Sequence, residues 1–481
     1  MPIPSIDFTV ILPILILSCA ALFVLLLDLF LSAERRGLNA YVSLAGVAAA
    51  AAATSLQIGR SGTTLEGMAV LDGFGLAFEW LLLGIAALSV LFSIPYVQQH
   101  NLNRGEYYVL MLFVTAGGMV MATSNDLITI FLGYELLSLS LYVLAAFARE
   151  RAASGEAGMK YLLLGGFASA FLLYGIALTF GTTGTTNLTM IAAFFDKTPI
   201  AGNALPLIGL ALLLIGFGFK IAAAPFHAWA PDVYEGAPTS VTAFMSSAAK
   251  VAGFAALARV LFVAFPSPAL RLDWGNALAA LAILTMTVGN IAALLQNNIK
   301  RLLAYSGIAH AGYILIALVT GTAQGLEAAL FYLLAYTFMN LGAWSVVIAL
   351  GRTGEERLDL SDFAGLSMRH PRLAAVMTLF LLSLAGIPPT AGLMGKWLIF
   401  SAAIQQNLIP LAVIGVLNSV VSLAYYLRVI SLMYTRPADA SFSLSPVARP
   451  LTVAIVVAAI GTLALGLLPA PVLQWVQIVR F

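Results

Sequence analysis

Charge is scarce in this chain. Only 9% of its 481 residues are Asp, Glu, Lys or Arg, against roughly 25% in an ordinary soluble domain. Hydrophobic residues make up 61%, and the mean hydropathy is +0.99. This balance excludes a soluble globular core and predicts an all-α polytopic membrane protein embedded in a lipid bilayer. Cysteine is almost absent. Cys19 stands alone in an apolar run, which excludes intrachain disulfides and cysteine-ligated metal or iron–sulfur sites. The four histidines, His100, His227, His310 and His370, lack zinc-site spacing, so no metal site is expected. Phosphate-binding and dinucleotide-binding glycine motifs are missing, so no cofactor-binding residue is expected. A net charge of +2 without a basic patch excludes nucleic acid as a partner.

What the chain does have is long apolar runs. A spanning helix needs about 20 residues. About fourteen spans are expected, centred near residues 18, 48, 85, 114, 137, 169, 213, 250, 284, 311, 338, 390, 421 and 460. The first run, about Phe8 to Leu31, has no basic segment before it and is too long for a signal h-region, so it reads as an uncleaved span. Thirteen Lys and Arg residues fall on one set of alternating loops, among them Arg151, Lys300, Arg301 and Arg352. Five fall on the other set, including Arg259 and Arg480. The bias predicts that the first set is cytoplasmic and that both termini lie outside.

Five basic residues remain in or near the bilayer: Lys160, Lys220, Lys250, Lys396 and Arg428. Among the acids, only Glu135 is expected near the middle of a span. Intramembrane ionisable groups are rare and usually functional. They also repeat. The seventh span is broken at Pro225 and the twelfth at Pro388 and Pro389, with Lys220 and Lys396 beside the breaks and 176 residues apart. Glu135 in the fifth span and His310 in the tenth are 175 residues apart. Five spans separate each pair, so equivalent helices run in opposite directions, as an inverted repeat requires. Spans four to eight then match nine to thirteen. The expected divisions are 1–100 (helices 1–3), 101–268 (first repeat), 269–437 (inverted second repeat) and 438–481 (helix 14). One asymmetry is visible: Lys220 precedes its proline, and Lys396 follows its own.

Burial favours a neutral amine and a nearby carboxylate favours the charged form. A lysine whose partner approaches and recedes therefore takes up and releases a proton. Lys220 with Glu135 fits that description. The structural alternatives are an ammonium that caps carbonyls freed at the break and a static ion pair. Lys250, in SSAAKVAGF, has Ser246 and Ser247 nearby to hold water. His310 lies in AYSGIAHAGY and Lys396 in GIPPTAGLMGKW. Both fit as relay residues or as packing and capping residues. Lys160 lies four residues after Glu156, which suits a surface pair as well as a pathway. His227 either extends the path beyond the break or stacks on Trp229. GGFASAFLLYG, residues 165–175, reads as close helix packing.

FKIAAAPFHAWAPDVYEGAPTSVTAFMSSAAK, KRLLAYSGIAHAGY and GIPPTAGLMGKW together resemble the antiporter-like membrane subunits of respiratory complex I. PDVYEGAP with IAH is similar to the subunit N branch of NADH–quinone oxidoreductase. The resemblance covers nearly the whole chain. It implies fourteen helices with two inverted five-helix repeats and discontinuous helices 7 and 12. The implied activity is that of a translocase subunit whose proton transfer is coupled to quinone reduction elsewhere. By position the implied proton pathway is Glu135, Lys220, Lys250, His310 and Lys396, with Lys160 and His227 as weaker members. NADH, FMN, iron–sulfur clusters and quinone would be held by other subunits. The implied partners are other complex I membrane subunits, including neighbouring antiporter-like ones, and not a second copy of this chain. The implied location is the bacterial inner membrane. Gly307 departs from the family's usual serine, which removes a hydroxyl beside the path. The competing readings are a free-standing Mrp-type cation/proton antiporter subunit and a scaffold whose buried charges only organise the complex.

Overall fold

The computed structural model describes residues 6–198, 204–351, 356–437 and 446–477. Arg352, Arg480 and residue 438, where the last division is drawn, lie outside them. Within a bilayer each backbone polar group needs a partner in its own segment, and helices provide one. In chain order the helices are α1 (Leu12–Asp28), α2 (Leu38–Leu56), α3 (Gly73–Gln99), α4 (Gly105–Thr123), α5 (Leu127–Ala145), α6 (Ala152–Thr183) and α7 (Leu188–Lys197). Next come α8 (Leu205–Lys220), α9 (Trp229–Gly236), α10 (Thr239–Arg259), α11 (Pro268–Leu294), α12 (Ile299–Val319) and α13 (Ala323–Leu350). The last are α14 (Leu366–Arg369), α15 (Pro371–Ala385), α16 (Ala391–Gln405), α17 (Ile409–Thr435), α18 (Arg449–Leu467) and α19 (Ala470–Val476).

Among the described residues, eleven helical segments are long and apolar enough to cross a membrane, while α1, α8 and α15 are apolar but shorter. Each expected centre falls on a helix except that near 390, which falls between α15 and α16. One element departs from the all-α expectation. Strands β1 (Gly62–Thr64) and β2 (Ala69–Leu71) form a short antiparallel hairpin.

Both expected discontinuities are present, but proline does not end the first. Ala222 adopts a left-handed backbone with φ +57°. Its N–H bonds the Phe219 carbonyl at 3.0 Å, and the Ala223 N–H bonds the Gly218 carbonyl at 2.8 Å. That is a Schellman ending, completed before Pro225 is reached. The break at α15 is built alike, with Gly386 at φ +89° and the Ile387 N–H on the Leu382 carbonyl at 3.0 Å.

Another correspondence lies at the starts of α5 and α12. Asp126 caps α5 and Asn298 caps α12, each accepting two backbone N–H bonds. Asp126 also forms an isolated bridge with Asn187, and Asn298 forms one with Asp359. The pair α4/α5 approaches closely at Gly117 and Gly133, and α11/α12 at Gly289 and Gly312. A Cβ at any of these four would fall within 2.8 Å of the facing helix. Small residues of this kind let membrane helices touch backbone to backbone. At the centre, α10, α12 and α13 are buried along nearly their whole length. Of these, α10 carries Lys250 and α12 carries His310.

Two residues counted with the loops are not loop charges. Arg259 is buried in the last turn of α10, with Nη1 and Nη2 each 2.8 Å from Asp72 and Nε on the Ala122 carbonyl. Lys300 is fully buried in the first turn of α12 and donates to the Ala237 carbonyl at 2.6 Å.

Candidate functional site

The titratable side chains follow helix spacing through the middle of the bundle. Glu135 and Ser138 are one turn apart on α5. Lys220, in the last turn of α8, donates to Ser138 Oγ at 2.6 Å and lies 4.0 Å above the Tyr134 ring. Among the described residues no ion pair within 4.0 Å joins Lys220 to Glu135. Glu135 accepts instead from Ser169 of α6. In place of the expected pairing, each charge is bonded to its own hydroxyl, Lys220 to Ser138 and Glu135 to Ser169. Ser169 belongs to the small-residue stretch 165–175, which also packs as expected: Gly175 faces Gly209 of α8.

Lys250 comes next. Gly253, one turn further along α10, packs against the Lys220 stem, where a Cβ would lie 3.1 Å from Lys220 Cγ. The Lys250 ammonium donates to the Gly307 carbonyl and to Tyr336 Oη, the latter at 3.3 Å. Gly307 is thus more than a lost hydroxyl. A Cβ there would stand 3.1 Å from Lys250 Nζ and 2.9 Å from Tyr336 Oη. Ser246 and Ser247 accept from Asn340 Nδ2 at 2.7 and 3.0 Å.

Along α12, Gly307, His310 and Tyr313 succeed one another at intervals of three, on one face. Gly307 holds Lys250. His310 is 2.7 Å from Tyr332 Oη through Nδ1 and 3.1 Å from Tyr426 Oη through Nε2. The Tyr313 ring centre lies 4.9 Å from Lys396 Nζ. Lys396 donates to Leu384 O, Ala385 O and Ser419 Oγ at 3.1, 2.9 and 2.8 Å. It therefore caps the end of α15. Lys220 bonds a hydroxyl instead, and the Phe219 carbonyl beside it is taken by Trp229 Nε1 at 3.1 Å.

The weaker candidates stand apart from this row. Lys160 is 42% exposed and pairs with Glu156 at 2.8 Å and Asp232 at 2.9 Å. His227 is half-buried in the break, and its Nδ1 has no partner among the described residues. Trp229 stacks on Tyr161 and Phe219.

Three sets of polar residues in these surroundings were not expected from the sequence. The first is hydroxyls: Ser138, Ser169 and the tyrosines Tyr332, Tyr336 and Tyr426. The second is Glu79 of α3, a fully buried carboxylate 3.3 Å from Thr54 Oγ1. The third is a cluster around Glu356. Its carboxylate accepts from Arg151 at 2.7 Å, Tyr96 at 2.5 Å and Thr239 Oγ1 at 2.6 Å, and lies 3.6 Å from Lys300 Nζ. The i,i+3 spacing of Glu135 and Ser138, and the i,i+4 spacing of Tyr332 and Tyr336, were the available signals.

Residues 124–422 match the model of the family described as NADH:quinone oxidoreductase/Mrp antiporter, TM. The chain belongs to that family. Within the family it is 50% identical to NADH-quinone oxidoreductase subunit N of Trichlorobacter lovleyi, covering 98% of this chain and 97% of that protein. It is 37% identical to a chain of respiratory complex I from Thermus thermophilus with bound aureothin, with a TM-score of 0.82 over 96% of this chain and 98% of that one. A chain of the Mrp complex from a Dietzia species shares the fold at 22% identity, with a TM-score of 0.86 and coverage of 98% and 97%. The family match spans the row from Glu135 to Lys396 in full.

Proposed function

We propose that this chain is the proton-translocating membrane subunit of type N in a bacterial NADH–quinone oxidoreductase. The observation that carries the reading is the ordered row Glu135, Lys220, Lys250, His310, Lys396 across the bundle, with Ser138 on Lys220, Gly253 of α10 against the Lys220 stem, and Tyr336, Tyr332 and Tyr313 from Lys250 to Lys396. The cytoplasmic side is the one bearing Arg151, Lys300 and Arg301, and both termini lie outside. The four divisions given above, two of them inverted repeats, are supported by the paired caps Asp126 and Asn298 and by the alike endings at Ala222 and Gly386.

A proton reaching the neutral amine of Lys220 makes the ammonium. Its departure towards Lys250 restores the amine. Lys220 bonds the neutral Ser138 hydroxyl and has no fixed counter-charge in contact, so the proton is held without being locked. Glu135, one turn from Ser138, sets the local field. From Lys250 the proton passes by Tyr336, His310 and Tyr332 towards Lys396 and leaves outside. Transfer of one charge against 100 mV costs about 2.3 kcal/mol, within the reach of a single charge rearrangement at short range in a low dielectric. Electron transfer, and the NADH, FMN, iron–sulfur and quinone sites, belong to other chains in this reading. Lys160 and His227 lie outside the row and are assigned no step.

The test is Lys220→Ala in the assembled complex. Proton uptake by inverted membrane vesicles on addition of NADH is expected to collapse while the complex still assembles. Full uptake with normal assembly refutes the reading.

A further inference from the structure

Between the end of the bundle that carries Glu356 and Lys250, one side of α10 is lined by Thr239, Ser240, Ala243, Ser246 and Ser247, all buried. At the mouth, Thr239 donates to Glu356 through both its N–H (3.1 Å) and its hydroxyl (2.6 Å). Ser240 Oγ is 2.7 Å from Tyr107 Oη, which is 3.1 Å from Ser93 Oγ of α3. Deeper in, Asn340 of α13 joins Ser246 and Ser247, and Lys250 follows within one turn. Between these two groups the row lapses at Ala243. The lapse covers about 9 Å along the axis, at about 1.5 Å per residue.

Two orphaned polar atoms flank that interval. Ser89 Oγ and Trp344 Nε1 are fully buried and have no hydrogen-bond partner among the described residues. Ser89 is one turn deeper than Ser93 on the same face of α3. Trp344 is one turn nearer the mouth than Asn340 on the same face of α13. Both helices pack on α10. Ser246 donates to the Ala243 carbonyl at 2.8 Å, so its hydroxyl is turned to the same level. An indole N–H and a hydroxyl left dry each carry the desolvation penalty of an unmade hydrogen bond. A polar gap with several such partners is where proteins keep buried water.

We propose that water at the level of Ala243 joins Ser240 to Ser246 and Ser247, completing a proton-conducting file along α10 that delivers protons from the Glu356 end to Lys250, whose helix packs on Lys220 one turn further on, so that both lysines remain necessary for transport. The proposal rests on the reading that Lys250 carries protons and that the Glu356 end is cytoplasmic. A hydronium at the mouth gives up one O–H bond. Each hydroxyl or water in the file accepts one proton and releases another, and the last N–H bond forms on the unshared pair of the Lys250 amine. The Glu356 carboxylate, held by Arg151, Lys300, Tyr96 and Thr239, closes the mouth.

Two measurements on the intact complex test it. A high-resolution density map is expected to contain ordered water bonded to Ser89 Oγ and Trp344 Nε1; a dry interval overturns the file. In vesicles, Ser89→Ala with Trp344→Phe is expected to lower NADH-driven proton transport about tenfold, an effect of about 1.4 kcal/mol on a rate, with assembly unchanged. Unchanged transport in that double variant, while Lys250→Ala abolishes it, overturns the file and leaves the proton reading standing. If Lys250→Ala is also without effect, the proton reading itself is wrong and the file falls with it.

Discussion

Lys220 donates to the hydroxyl of Ser138 at 2.6 Å, and that hydroxyl donates in turn to the Tyr134 carbonyl at 2.5 Å. The ammonium of α8 is thereby tied to α5 through a neutral group one turn from Glu135. This geometry separates two roles that a direct ion pair would merge. The hydroxyl holds the proton carrier, and the carboxylate biases it.

Ser138→Ala removes the hydroxyl that accepts from Lys220 and leaves the Tyr134 ring as its other close neighbour. A hydrogen bond to a charged group is worth about 1.5–3 kcal/mol. Proton transport in vesicles is therefore expected to fall by about tenfold or more while the complex still assembles. Ser138→Thr, which keeps a hydroxyl, should recover most of it. Equal loss in both variants would mean that volume, not the hydroxyl, matters there.

Lys396 behaves differently from Lys220. Its ammonium satisfies the Leu384 and Ala385 carbonyls, whereas in α8 the Gly218 and Phe219 carbonyls are bonded by Ala223, Ala222 and Trp229 and the Lys220 ammonium bonds Ser138 instead. Leaving a buried carbonyl unpaired costs about 1–3 kcal/mol. Lys396→Met should therefore lower the thermal midpoint of the purified complex, and Lys220→Met should lower it far less. Both should stop transport. Equal midpoints would show that capping contributes nothing.

These two lysines illustrate what one dimension reveals. A charge in an apolar run is conspicuous, so Lys220, Lys250 and Lys396 could be picked out from sequence, as could a lone His310. Ser138, Tyr332 and Tyr336 offered only their helical spacing, and Ser169 not even that. Hydroxyls are common on membrane helices and mostly bond their own preceding turn, as Thr115 bonds Met111 at 2.9 Å. Their importance depends on partners brought in from distant helices. The breaks were legible through proline and glycine, yet the true stop of α8 is a left-handed alanine, which has no distinctive sequence signature. Lys300 and Glu356 were hidden for a related reason. Loop counting treats every terminal charge as solvated, whereas here Lys300 is buried and Glu356 is held against it, Arg151 and Thr239.

Asp72 and Arg259 make a second buried pair, at the opposite end of α10. Arg259 contacts both carboxylate oxygens, and Asp72 also caps α3 by accepting from the Gly75 N–H at 2.7 Å. Removing one partner of a buried pair costs about 3–5 kcal/mol. Asp72→Asn should destabilise by an amount in that range, read as a lower thermal midpoint in detergent, without a matching change in transport per assembled complex. A midpoint like that of the parent would show that water replaces the carboxylate.

Glu356 yields a pH prediction with a definite sign. Burial alone would raise its carboxyl. The charge of Lys300, the hydrogen bond and charge of Arg151, and the Thr239 hydroxyl more than offset this and hold it well below the usual carboxylate range. A depressed carboxyl stabilises the fold fully above its unfolded value of about 4.3, and that contribution is lost only as acid approaches the folded value. Glu356→Gln strands Arg151 and buried Lys300 without their counter-charge, at about 3–5 kcal/mol. The gap in thermal midpoint between parent and variant should therefore be wide and constant from about pH 5 to 8. Below about pH 4.3 it should narrow, because the parent carboxylate is then titrated on unfolding and its advantage shrinks. A gap that instead closes as pH rises through neutrality would assign the pH dependence to another group, and the cluster would no longer account for how Glu356 is held.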